Sequence, residues 1–567
     1  MATLVKLLVF PCDIRWNLIS GRLDPLKSLT CAQTMNEPQS LWSSSAPPLA
    51  DARRSRKRTC FVSQHPHEHR DRKPNNLGGN GQRLLGAVRV NNLLKILFAP
   101  LCLHIYPGGL INIDEFPLSL TDLQRRFQIA DGHVLGRILV PVLRLASGDN
   151  GWRNIVPGLE ASAATKAIAR MFTNPEEWCP ENSSTSSFER SSLLGPLIRL
   201  GVFQWEWPTI SKTYFSEPEK RTRADVDASN TSLRATLHNL QTSLFQLFNS
   251  IVRASPECRE SVLEYFSKVI SLNVRGLQVD FATVASDGFM VNLQAVLLQI
   301  AEPFIDSKFS KLDRIDPKFF GRSSRISMAD KTRVNATSDE ASRWAEEVQS
   351  EGHGPANFIT EIFYLTATIN HYGLMRTIQS AQDLHKAIDE RQNVIDWYEG
   401  DPTWREQPPT IRARYEEQMK RIKDEMQLIH EEMFAYQVQL LDPEFSARQL
   451  AFNGFLSTWL INLVDPSKNH PTITIDFVPP KIPTVFKMIP EFFIEDMADY
   501  ALYLMRLKPE AIENPARVEI LILCFTFLSS TWYIKNPFLK TRLLQGADLI
   551  RVMFYGTLET DENEEEF

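Results

Sequence analysis

The sequence predicts an all-α protein, an α-solenoid of stacked helix pairs, and three observations carry that expectation. From about Leu84 the apolar residues fall at helical spacing, and from about Ser192 they do so almost to the end, with breaks at Pro, Gly and Asx clusters. Strand signals are nearly missing. With no sheet to lie on, helices that carry one apolar stripe each must bury those stripes against one another, and stacked pairs are the economical solution for several hundred residues. No strict period of the tetratricopeptide or ankyrin kind is visible, so the repeats are degenerate; a set of irregular bundles is the alternative.

The chain has 567 residues, room for three or four ordinary domains or one extended repeat domain. It is 43% hydrophobic and 23% charged with a mean hydropathy of -0.22, the composition of a chain that folds. A net charge of -6 supplies no global field for nucleic acid or an anionic membrane. The cysteines, Cys12, Cys31, Cys60, Cys102, Cys179, Cys258 and Cys524, are odd in number and stand singly, which points to a reducing compartment, cytoplasm or nucleus. The apolar start Met1 to Phe10 is too short to span a bilayer and has no basic flank or small-residue cleavage site. Leu84 to Tyr106, broken by Arg89 and Lys95, and the short run Ile520 to Ile534 are read as buried helices.

Taken in order, residues 1–82 form a leader rich in Ser, Pro, Asn, Gly and Arg that is expected to be disordered, or to be an artefact of the gene model. It contains Arg53-Arg54-Ser55-Arg56-Lys57-Arg58, readable as a nuclear address or as a solvated charge run. Residues 83–191 read as an N-terminal helical region and 192–567 as a helical core. In that core Ser255 is placed to cap a helix with Pro256 at its first position, a stripe of Val262, Tyr265, Phe266, Val269 and Ile270, and an end at Asn273. Ser286 is placed to cap the next, whose stripe of Phe289, Met290, Leu293, Val296, Leu297 and Ile300 runs to Pro303; one face is core and the other is polar.

Between Glu361 and Leu441 two helical segments flank Glu399-Gly400-Asp401-Pro402 and Pro408-Pro409, the pattern of a long antiparallel hairpin. On its second arm Ile411, Tyr415, Met419, Ile422, Met426, Ile429, Met433 and Tyr436 make a heptad-like seam. An arm of about thirty residues reaches roughly 45 Å. The best strand signal, Thr472 to Val478, is bracketed by Pro471, Pro479 and Pro480 and is read as an extended linker.

The residues offer no constellation for catalysis. There is no G-x-S-x-G, G-x-x-x-x-G-K-[ST] or H-E-x-x-H pattern and no kinase set. His65-Pro66-His67-Glu68-His69 is a polar tail before it is a weak metal site, since Pro66 prevents helical i, i+4 geometry. Gly78-Gly79-Asn80-Gly81 lacks the strand and Lys of a phosphate loop. Neighbours such as Asp339 and Glu340 point about 100° apart on a helix and form no dyad. Cys258, beside Arg259 in a first helical turn, is read as structural. The acidic run Glu559 to Glu566 is read as a solvated chain end. No catalytic, cofactor-binding or metal-binding residue is assigned, and no cofactor is expected.

A family resemblance enters with the segment Thr283-Val284-Ala285-Ser286-Asp287-Gly288-Phe289-Met290-Val291-Asn292-Leu293, continuing through Glu302-Pro303-Phe304-Ile305-Asp306 to Asp316-Pro317. It resembles the core of ubiquitin conjugation factors of the E4 class. Leu194-Gly195-Pro196, Arg259 to Phe266, Asn357 to Phe363 and Tyr533-Ile534-Lys535-Asn536-Pro537-Phe538 follow in the same order, and the likeness covers about Ser192 to Tyr555. The resemblance implies an armadillo-like helical superhelix that works in polyubiquitination as a ubiquitin–ubiquitin ligase, feeding proteasomal and ER-associated degradation. It implies ubiquitinated substrates, a AAA-type segregase and ubiquitin-like-domain shuttle proteins as partners, with the conjugating enzyme held by a C-terminal U-box.

The chain is expected to be truncated inside the core, without the U-box and inactive alone, with an exposed apolar end beside Tyr555 where the next helix pair would stack. A non-catalytic α-solenoid adaptor for ubiquitin-pathway or transport partners is the alternative. Asp287, Gly288, Phe289, Asn292, Pro303, Phe304, Asn536 and Pro537 match the family's pattern and are read as structural, at helix starts, close packing and helix ends.

Overall fold

A computed structural model describes residues 163 to 547, with 156, 159 and 160, apart from 205, 275 to 283, 307, 323, 353 and 474 to 477. By backbone proximity the chain divides into Met1–Asp71 and Arg72–Phe567, and every described residue belongs to the second unit. The leader with its basic and histidine clusters, the glycine run at 78 to 81, the apolar run at 84 to 106, Thr283, the centre of the strand-like segment, Tyr555 and the acidic run lie outside the described residues.

Among the described residues the structure is all-α, with fifteen α-helices up to Ser529 packed on one another, a further helical stretch at 537 to 547 and one isolated bridge, Arg333 with Pro490. Four short helices lead in: α1 (Lys166–Ala169), α2 (Thr185–Ser191), α3 (Gly195–Ile198) and α4 (Pro208–Phe215). The long α5 (Arg223–Ala254) then meets α6 (Pro256–Asn273) at a single residue. That residue is Ser255, whose Oγ accepts from the Cys258 backbone N–H at 3.2 Å, as the sequence anticipates. The chain turns back there, and Phe248, Tyr265 and Phe266 join Trp178 in one aromatic cluster. Cys258 is buried, its Sγ 3.5 Å from the Thr173 hydroxyl, as a packing residue would be.

α7 (Asp287–Ala301) starts at the expected cap, Ser286, and its polar face is buried along with its apolar one. Every residue from Gly288 to Ala301 is buried. Three of them are amides, Asn292, Gln294 and Gln299, which on an isolated helix would face water. Here other helices cover that side, and their polar groups take over part of the hydrogen bonding of water, while Gln294 Oε1 is left without a partner. Gln294 donates to Gln449 at 2.8 Å, and Gln449 donates to Asn453 at 2.9 Å.

After α8 (Ser338–Ser350) comes the hairpin. Its first arm is continuous from α9 (Phe358–Ile369) through a π-turn at Asn370–Leu374 into α10 (Met375–Gly400); its second is α11 (Pro409–Leu440). Contacts between Glu399 and Lys423, and between Thr377 and Tyr436 through Asp287, run in opposite chain directions, so the arms are antiparallel. Along the seam Ile422, Met426, Ile429, Met433 and Tyr436 are buried, whereas Ile411 is exposed at the tip. Toward the tip Ile395, Tyr398, Ile422 and Met426 form a small core of their own with Trp404, Tyr415 and Met419 packed on it. At the base, Arg234 of α5 donates to the carbonyls of Gln437 and Val438, satisfying the end of α11.

The remaining helices are α12 (Pro443–Val464), α13 (Thr484–Lys487), α14 (Phe492–Leu507) and α15 (Ala516–Ser529). α12 packs closely on α15: a Cβ placed on Gly454 would stand 2.9 Å from the Ala516 Cβ. The outward side of this region leaves Val518, Phe525, Trp532, Phe538 and Leu544 exposed. Two capping boxes, Thr222 with Asp225 and Thr337 with Glu340, were legible as T-x-x-[DE] but do not figure in the sequence reading.

The π-turn supplies a test of packing. A Cβ on Gly373 would meet the Met290 Cβ at 2.8 Å, an atom fixed to the α7 backbone, and the Met290 Cε at 3.0 Å. Alanine favours a helix over glycine by about 1 kcal/mol, so Gly373→Ala should stabilise if the site has room. The expected result is a net loss of about 1–3 kcal/mol from overpacking, read by urea unfolding.

Candidate functional site

The family-pattern positions Asp287, Gly288, Phe289 and Asn292 occupy the first turns of α7, where α3, α5, α10 and α11 converge. Asn292 is fully buried and its amide is saturated. Nδ2 donates to the carbonyls of Ile198 at 2.7 Å and Leu200 at 2.6 Å, while Oδ1 accepts from Gln241 Nε2 at 3.0 Å and Gln439 Nε2 at 3.2 Å. Two carbonyls against one end of the amide determine which way it points. The residue therefore closes the carbonyl end of α3 and clamps α5 and α11 to α7.

Asp287 does for charge what Asn292 does for amides. Its Oδ1 accepts from the Thr377 hydroxyl at 3.0 Å and the Arg376 guanidinium at 3.4 Å, and its Oδ2 accepts from the Tyr436 hydroxyl at 2.9 Å. Arg376 also donates to the Ala285 carbonyl at 2.7 Å. Burial and the neighbouring Asp287 carboxylate push the Tyr436 phenol well above its usual range. On the adjoining side Glu189 accepts from the Ser286 backbone N–H at 2.7 Å and lies 3.8 Å from Arg199. Gly288 permits this convergence, because a Cβ there would stand 3.2 Å from the Arg199 carbonyl oxygen and 3.6 Å from the Gly201 Cα. Phe289 is buried beneath the cap.

The Glu206 carboxyl completes the group and is its least comfortable member. Its Oε2 is sealed from solvent without a hydrogen-bond partner. Burial, then the negative charges of Asp287 and Glu189, push its pKa up to about 8. At neutral pH it is held mainly as the neutral acid, so three carboxyl groups coexist there with less charge than their number suggests.

The structure places the other matching residues elsewhere. Pro303 and Phe304 form the 3-10 turn after α7, where the Phe304 ring stands 6.5 Å from Phe455. Asn536 accepts from the Phe538 backbone N–H at 2.9 Å and donates to Glu491 at 3.1 Å, with Pro537 opening the helix at 537 to 547. These positions do not join Asp287 and Asn292 in one site. The sequence reading missed Glu189, Arg199, Glu206, Gln241, Arg376 and Gln439 altogether, because their neighbours come from segments far away in the chain. The one local signal was an amide beside an apolar stripe, as at Gln241 between Leu240 and Leu244.

Chemically, this convergence positions helices. Most of its donors and acceptors are turned on one another, with Glu206 Oε2, Gln439 Oε1 and the Nε atoms of Arg199 and Arg376 buried without a partner, and among the described residues no group of three or more His, Cys, Asp or Glu side chains is disposed to hold a metal ion. No described helix is long and apolar enough to cross a membrane.

Stacked helices held by a buried polar hub, with a protruding hairpin, define a helical scaffold. Residues 194–567 match the ubiquitin elongating factor core, and the chain belongs to that family. It is 28% identical over 459 residues to ubiquitin conjugation factor E4 of Schizosaccharomyces pombe, covering 79% of this chain and 44% of the relative. It is 25% identical over 422 residues to the E4 ubiquitin-protein ligase UFD2 of Saccharomyces cerevisiae, covering 70% and 43%. A probable ubiquitin conjugation factor E4 of Arabidopsis thaliana is 25% identical over 426 residues, covering 66% and 39%. The chain thus spans less than half the length of each.

Two outcomes follow from the hub. Asn292→Leu strands two carbonyls and two amides, each costing about 1–3 kcal/mol when buried unmet; a loss of about 4 kcal/mol is expected by urea unfolding, and a loss below about 1 kcal/mol would show that the clamp is not structural. For Glu206 the folded pKa of about 8 lies above its ordinary value of 4.5. The folded state therefore keeps a proton that the unfolded chain releases between those values, and stability falls as pH rises through that window. Glu206→Gln should match the parent in melting temperature near pH 4 and exceed it near pH 9, as read by scanning calorimetry.

Proposed function

We propose that this chain supplies the scaffold of a ubiquitin chain-elongation factor, acting on substrates that already carry ubiquitin and serving polyubiquitination ahead of proteasomal and ER-associated degradation. The observation that supports this best is the match of residues 194–567 to the elongating factor core, joined to relatives named as E4 conjugation factors and ligase. A stack of helices pinned at an internal hub is stiff, and stiffness lets one protein hold a tagged substrate and a second component at a set separation.

In this reading the partners are ubiquitinated substrates, a AAA-type segregase and ubiquitin-like-domain shuttle proteins. The conjugating enzyme is recruited by a U-box on the C-terminal side of the core. Cytoplasm and nucleus are the proposed locations, in keeping with free Cys179, Cys258 and Cys524 and with the basic run Arg53 to Arg58.

Immobilised chain should retain a mono-ubiquitinated substrate at least several-fold over the same substrate untagged. When activating and conjugating enzymes are added, residues 1–567 should leave that substrate unextended. Equal retention of both forms, or enrichment of transport cargo alone, overturns the elongation-factor reading; rapid chain growth overturns the assignment of a scaffold without transferase activity.

A further inference from the structure

At the C-terminal side of the described core lies a polar pocket of about 490 Å³, lined by Asn335, Thr337, Glu340, Lys487, Thr531, Trp532, Ile534, Lys535 and Lys540. Its charge is lopsided. Three lysines face one carboxylate, and that carboxylate is occupied: Glu340 accepts from the Thr337 backbone N–H at 2.8 Å and from its hydroxyl at 3.2 Å. Among the described residues none of the three ammonium groups has a carboxylate within ion-pairing distance, whereas other lysines do, as Lys318 with Glu351 at 2.6 Å and Lys423 with Glu399 at 3.2 Å.

The backbone that carries Lys487 and Lys535 is also braced. The strap at 333 to 335 threads between two segments. The Val334 N–H donates to the Ile489 carbonyl at 2.9 Å, the Asn335 N–H to the Lys487 carbonyl at 3.2 Å, and the Lys535 N–H to the Val334 carbonyl at 3.2 Å. The Asn335 side chain then donates to the carbonyls of Trp532 and Tyr533 at 2.8 and 3.0 Å. Lys487, Lys535 and Lys540 thus come from three points of the chain onto one braced frame, at no ordering cost to the backbone when an anion arrives.

The geometry points to this pocket as a binding site for a run of peptide carboxylates, and to the chain's own segment Glu559–Glu566 as its occupant. That segment carries six carboxylates in eight residues, Glu559, Asp561, Glu562, Glu564, Glu565 and Glu566. Its tether is of suitable length. Lys540 lies in the helix that runs to Ala547, about 10 Å along the axis, and the twelve residues from Ala547 to Glu559 span up to about 40 Å. A tether of that reach raises the local concentration of the acidic run to the millimolar range, enough for clustered charges of modest intrinsic affinity. Occupancy by the segment competes with any acidic peptide offered by another molecule, so the pocket is a site with a built-in competitor.

The test uses the full chain. Zero-length carbodiimide coupling, which joins an ammonium and a carboxylate as an amide with loss of water, should link residues 559 to 566 to Lys487, Lys535 and Lys540 more often than to any other lysine. Those links should fall at least five-fold at an ionic strength of about 0.5 M, where screening is short-ranged. In the second arm a labelled peptide of residues 559 to 567 is titrated into the wild type and into a variant with the six acids changed to Gln or Asn. The variant should bind at least ten-fold more tightly, and adding Lys487→Glu, Lys535→Glu and Lys540→Glu should abolish binding while the circular dichroism spectrum and melting temperature stay near the parent's. Cross-links spread evenly over surface lysines, or no peptide binding by the variant, overturn the site. Equal binding by wild type and variant overturns the acidic run as occupant.

Discussion

A buried primary amide has two donors and two acceptor positions, and water supplies none of them once the side chain is sealed in a core. Asn292 meets that constraint with four partners drawn from α3, the stretch after it, α5 and α11. Apolar packing tolerates sliding at small cost; saturation of one amide by four groups does not, because any displacement leaves a buried polar group unmet. The register of at least four helices is thereby tied to one residue. Asp287, five residues earlier, ties α10 and α11 to the same helix through Thr377, Arg376 and Tyr436.

A central helix so held can afford unusual neighbours. Gly288 and Gly373 let other chain segments approach α7 closely, Gly288 beside the Arg199 carbonyl and Gly373 against Met290. The π-turn at Asn370–Leu374 re-aims the first hairpin arm at the place where that approach occurs. Glu206 is the counterweight: it sits beside Asp287 and Glu189 without a partner for Oε2, and its proton relieves the repulsion. For a scaffold, the useful outcome is a stiff base from which the long hairpin projects with its own small core.

Much of the fold was legible locally. Ser255 and Ser286 cap the helices that the sequence places after them, the first of which ends at Asn273 as expected, and the hairpin turns at the breaker between Glu399 and Pro402. These are contacts within a few residues, so the sequence contains both partners side by side. The polar face of α7 shows the limit. Periodicity reports how apolar each side of a helix is, and an Asn or Gln reads as surface; whether another helix brings an amide to meet it depends on residues 51 to 155 positions away. The hub residues Glu189, Arg199, Glu206 and Arg376 were invisible for the same reason, as were the three lysines of the pocket.

By itself, then, the sequence determined the helical class, the positions of the caps and breakers, the hairpin and, through the ordered segments from Leu194 to Asn536, the family. Each depends on short-range stereochemistry or on residue order, which a linear text preserves. Only the tertiary structure decided that α7 is buried on every side, that Asn292 and Asp287 are junctions, and that Lys487, Lys535 and Lys540 share one frame. Those outcomes rest on polar groups finding partners across long chain separations, where the saturation of a buried amide and the spacing of like charges are properties of the packed assembly.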